Sequence, residues 1–73
     1  MSRQYQNLSV HLNNLMEMYN INDTNLSLKT GIHLPVLKNI LKGNVDYMGF
    51  RHINKLSKAF GMQIFEFIDY ISQ

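Results

Sequence analysis

The stretch from Asp23 to Ile40 restricts the possible folds of this chain more than any other. Counted from Asp23, apolar or small residues fall at the fourth, fifth, eighth, tenth, fifteenth and eighteenth positions, as Leu26, Ser27, Thr30, Ile32, Leu37 and Ile40, with Gly31 at the ninth. A short helix ending at Thr30 can be followed by Gly31 in a left-handed conformation without steric cost, and Ile32-His33 makes a brief connection. The next helix reads from Leu34 to Lys42, with Leu37, Ile40 and Leu41 on its apolar side. Pro35 falls in its first turn, where a missing amide hydrogen costs nothing, and Gly43 stops it. Ser27 must be small for the two helices to approach. One glycine between two helices is a weak signal, and this set of positions together is a stronger one.

Helical spacing continues on both sides. Tyr5, Leu8, Leu12, Leu15, Met16 and Tyr19 form one apolar stripe, which predicts a first helix over about 4–19. Asn20-Ile21-Asn22-Asp23 then supplies capping residues, with Asp23 read as the cap of a second helix that begins near Asp23 or Thr24. Beyond a loop over 44–49, a fourth helix covers about 50–60, with Phe50, Ile53, Leu56, Ser57 and Phe60 inward, and ends at Gly61. Ile64, Phe67, Ile68 and Ile71 mark a last helix over about 64–71. No alternating strand pattern and no repeat is found. The expectation is an all-α, compact five-helix domain spanning 1–73, with the second and third helices in a helix-turn-helix arrangement.

Composition narrows the chemistry. In 73 residues with 45% hydrophobic content there is material for one core and little room for a catalytic pocket beside it. Zero cysteines exclude disulfides, thiol nucleophiles and thiolate metal sites. His11, His33 and His52 fall on three different elements, and neither a zinc spacing nor a paired-carboxylate motif occurs. Met16 and Met18 read as core and helix surface. The expectation is no enzyme, no metal and no cofactor. The opening Met-Ser-Arg-Gln-Tyr-Gln-Asn lacks a signal-peptide apolar stretch and no window suits a membrane span, so a cytoplasmic protein without a membrane partner is expected.

The net charge of +2 is unevenly divided. Residues 29–58 carry Lys29, Lys38, Lys42, Arg51, Lys55 and Lys58 against Asp46 alone, a local charge of +5, while residues 1–28 sum to −1 and residues 59–73 to −2. The cations surround the third helix, as a nucleic-acid partner requires.

In Leu12-Asn13-Asn14-Leu15-Met16, in Asn20 to Ile32, in Leu34 to Gly43 and in Leu56 to Met62, the chain resembles the phage repressor and Cro-like helix-turn-helix family, the xenobiotic-response-element type. The resemblance implies a lambda-repressor-like DNA-binding domain, acting as a dimer on a two-fold operator with the third helix in the major groove. Three departures stand out. Ser27 replaces the usual alanine. Met16 and Leu41 occupy the positions of an ion pair found in many members, and apolar residues of similar size can replace such a pair, which assigns Leu41 to the core. Leu34 and Pro35 stand where members often present glutamines or other hydrogen-bonding residues.

On that footing, outward residues of the third helix read bases: His33, Leu34, Pro35, Lys38 and Asn39, with Val36 beside them. Asparagine pairs with adenine N6 and N7, lysine donates to guanine O6 and N7, and apolar side chains meet thymine methyls. His33 serves equally well as a helix cap. Phosphate contacts fall to the Thr24 hydroxyl and the start of its helix, and to Lys42, the Gly43 and Asn44 amides, Tyr47 and Arg51. Lys55 and Lys58 read as solubility residues. Phe65 and Tyr70 lie outside the stripe of the last helix and suggest a homodimer interface. The function expected is sequence-specific binding of double-stranded DNA by a small transcriptional regulator, a repressor, encoded by a bacterium, plasmid or phage. The alternative is a protein-interaction module (an adaptor, anti-repressor or antitoxin-like partner) in which Leu28, Leu34, Pro35 and Val36 form a docking patch.

Overall fold

A computed structural model describes residues 7–45 and 48–73. Among them are five helices and no strand: α1 (Leu8–Met18), α2 (Asp23–Thr30), α3 (Leu34–Leu41), α4 (Phe50–Ala59) and α5 (Ile64–Ile71). The all-α expectation holds. Helix α1 packs against α3 and α5, α2 against α3 and α4, and α4 against α5. Their inward stripes meet in one core, in which Leu12, Leu26, Leu37, Leu56, Phe67 and Ile71 have no exposed surface. Each such side chain contributes roughly 1.5–3 kcal/mol when it leaves water.

The turn between α2 and α3 follows the spacing closely. Gly31 takes φ of 77° and its amide donates to the Ser27 carbonyl at 2.8 Å. Ser27 Oγ donates forward to the Ile32 carbonyl. Thr30 Oγ1 donates back to the Leu26 carbonyl at 2.8 Å and accepts from the Ile32 amide at 3.2 Å. Ile32 is thereby driven into the core between the two helices, where it is buried. The serine in place of alanine adds a hydrogen bond to the turn.

Several boundaries and burials differ from the sequence reading. Tyr5 and residues 1–6 lie outside the described residues, so α1 is followed only from Leu8. At its other end Tyr19 is exposed, because Asn20 turns left-handed at φ 53° and closes the helix with an Ile21 amide to Met16 carbonyl bond of 2.9 Å. The cap of α2 is Asn22, whose Oδ1 accepts from the Asn25 amide at 2.8 Å, and Asp23 is the first helical residue. Phe50 is 69% exposed although it shares a face with Ile53. It stands in the first turn of α4, and the buried position nearby belongs to Met48, a loop residue without periodic signal. Leu41 is half-buried against the core's edge, because the end of α3 opens onto a polar cleft. Met16, on the same cleft, is buried.

Candidate nucleic-acid interface

Helix α3 has two faces with separate duties. Leu37 and Ile40 point into the core, and Pro35, Lys38, Asn39 and Lys42, spaced i, i+3, i+4 and i+7, form an exposed stripe on the other side. Leu34 is half-buried at the helix entry, and Val36 is 40% exposed on the flank of the stripe. His33 occupies the capping position with an exposed ring that makes no capping hydrogen bond, so its imidazole is not engaged in holding the helix start. Asn39 Oδ1 accepts from the Asn44 side-chain amide at 3.3 Å and keeps a second lone pair and its own amide hydrogens for other partners.

The donors at the end of α3 are arranged differently from the sequence reading. Gly43, at φ 84°, gives its amide hydrogen to the Ile40 carbonyl at 3.1 Å, and Asn44 gives its own to the Asn39 carbonyl at 3.0 Å. These bonds close the helix, so neither amide is available to a phosphate. What remains there is the exposed Lys42 ammonium and the Asn44 side chain. Arg51 is exposed in the first turn of α4, and Tyr47 lies outside the described residues. At the start of α2, the Thr24 amide donates to Asp23 Oδ1 at 2.7 Å and the Thr24 hydroxyl approaches the same oxygen at 3.4 Å. Both donors assigned to phosphate from Thr24 therefore face a carboxylate.

Between α1, the start of α2 and α3 lies an open cleft of about 550 Å³, lined by Asn13, Met16, Asn22, Asp23, Lys38, Leu41 and Lys42. Asn13 bridges α1 to α3, its Nδ2 donating to the Ser9 carbonyl at 2.7 Å and to the Leu41 carbonyl at 3.1 Å. Asn22 uses its oxygen as the α2 cap, which leaves its Nδ2 hydrogens as donors at the cleft. Neither asparagine was singled out from the sequence, and the signal for Asn22 was its place before the helix. A second, smaller groove of about 320 Å³ between α2 and α4 is bordered by Lys29, Lys55 and Lys58, with Thr30 and Ala59.

On α5, Phe65 is 78% exposed. Tyr70 is half-buried, its ring tilted against that of His11 with centroids 4.8 Å apart, so it belongs largely to the α1–α5 contact. No group of three His, Asp or Glu side chains suited to a metal comes together among the described residues, and no described helix is long and apolar enough to cross a membrane.

The family model described as Cro/C1-type HTH DNA-binding domain matches residues 11–73. No curated protein and no solved structure gives a match.

Proposed function

From the chain's membership of the Cro/C1-type helix-turn-helix DNA-binding family, we propose that it is a small dimeric transcriptional regulator, a repressor, that reads double-stranded DNA with α3 in the major groove. The observation that supports this most is the outward stripe of α3. Pro35, Lys38, Asn39 and Lys42 are exposed together while the buried Leu37 and Ile40, with Leu41 at the core's edge, tie the helix to the core. Lys38 and Asn39 supply hydrogen bonds to base edges, His33 adds a free imidazole at the helix entry, and Leu34, Pro35 and Val36 suit thymine methyls. Lys42 and Arg51 hold the phosphate backbone on the far side of the helix, assisted by the Asn44 side chain, and the Asn22 side chain does so at the cleft. Two protomers joined through Phe65, with the outer edge of Tyr70, present two such helices to half-sites about 34–36 Å apart.

Selection of bound sites from random duplex DNA tests the proposal directly. A palindromic site is expected, and the double substitution Lys38→Ala with Asn39→Ala should erase its preferred bases while weak general binding remains. An unchanged preference means that α3 does not read the bases. A second reading, docking of another protein on the apolar side of α2 and α3, rests on Leu28, which is 79% exposed. Weak binding to every duplex, without the steep loss of affinity between about 50 and 200 mM salt that phosphate contacts cause, favours it.

A further inference from the structure

We infer that Asp23 limits the affinity of the protein for DNA by standing where a backbone phosphate would be held. This rests on the reading that α3 enters the major groove. The start of a helix with free amide hydrogens attracts phosphate. In α2 the Thr24 amide is instead taken by Asp23 Oδ1 at 2.7 Å, and the Thr24 hydroxyl lies 3.4 Å from the same atom. Asp23 borders the cleft together with Lys38 and Lys42, the two cations of the α3 stripe. A phosphate approaching Lys42 from the cleft therefore meets a carboxylate charge.

The helix does not require Asp23 as its cap. Asn22 already performs that task through its 2.8 Å bond from the Asn25 amide. Asp23 is also half-buried, which restricts its freedom to swing aside. Its negative charge attracts the Lys42 ammonium group in the free protein and repels the backbone in the complex. Both effects weaken the phosphate contacts, and neither depends on base sequence. The consequence is a protein whose residence on arbitrary DNA is brief, and whose occupancy of a site relies on the base contacts of α3.

The test compares wild type, Asp23→Asn and Asp23→Glu on the selected operator and on an unrelated duplex across a salt series. Asp23→Asn keeps the shape and an oxygen for the Thr24 amide while removing the charge. It is expected to tighten binding to both duplexes by a similar factor, roughly fivefold to tenfold at low salt for each protomer that loses a repulsive charge near a phosphate, and the square of that for the dimer. Preferred bases should not change. Asp23→Glu, which keeps the charge, should bind like wild type. Equal affinities for wild type and Asp23→Asn, alongside steep salt dependence of both, overturn the inference and leave the DNA-binding reading intact. Tightening confined to one sequence also overturns it, since Asp23 then reads a base. Salt-independent or absent binding of all three chains to every duplex overturns both. Unfolding midpoints of the three chains, compared with the binding change, show whether loss of fold contributes, and tightening by a chain no more stable than wild type supports the inference.

Discussion

Lys42→Ala isolates a single proposed phosphate contact in each protomer, because little else depends on that side chain. Lys42 is exposed, and its backbone amide closes α3 through a 2.9 Å bond to the Lys38 carbonyl that alanine retains. Alanine is also a good helix former, so stability should be nearly unchanged. With Lys42 and Arg51 from each protomer, the proposed dimer would neutralise four phosphates, for an expected slope of log affinity against log salt of roughly −3.6 and a weakening of about 150-fold between about 50 and 200 mM salt. With Lys42 removed from both protomers the slope falls to roughly −1.8, and the same change in salt costs only about twelvefold. Fluorescence anisotropy with a labelled duplex at several salt concentrations reads the slope directly. A slope unchanged by Lys42→Ala would refute the placement of the α3 C-terminal end against the backbone. A shift in preferred bases would instead move Lys42 among the residues that read sequence.

Gly31→Ala should cost about 1–2 kcal/mol in urea unfolding, a purely backbone penalty, since φ is 77° and a Cβ there meets nothing within 4 Å. Gly43→Ala should cost more, because φ is 84° and the added carbon also comes within 3.3 Å of Ser9 Oγ. Thr30→Val removes the partner of the buried Ile32 amide and should lower stability by about 1–3 kcal/mol, measurable as a shift in the unfolding midpoint. Phe65→Ala, at a position 78% exposed, should leave the unfolding midpoint of the fold in place and convert the proposed dimer to monomer in sedimentation.

The helix-turn-helix pair was legible because its constraints are local. A left-handed turn at Gly31, a small residue at Ser27 and inward residues at Leu26, Ile32, Leu37 and Ile40 act within one continuous stretch, and the structure reproduces all of them. Periodicity failed where tertiary neighbours decide. Phe50 has the phase of Ile53 but stands at the helix start, and Met48 is buried from a loop in which no period exists. The outward stripe of α3 could be read from its phase. The engagement of individual donors could not, because the Thr24 amide is taken by the rotamer of the adjacent Asp23 side chain, and the Gly43 and Asn44 amides by bonds across a helix end. Asn22 and Asp23 are adjacent capping-type residues, and sequence order alone did not say which of them accepts the Asn25 amide.

The division of α3 into two faces has a consequence for how such a protein diverges. Leu37 and Ile40, with Leu41 at the core's edge, bind the helix to the core, while Pro35, Lys38, Asn39 and Lys42 are exposed. Substitutions at exposed positions usually alter stability by no more than about 0.5 kcal/mol. On the proposed placement of α3, descendants of this chain can therefore explore new operators through Lys38 and Asn39, and adjust general affinity through Lys42, without crossing the threshold at which the domain unfolds, and duplicated copies can acquire separate targets before the scaffold itself has changed.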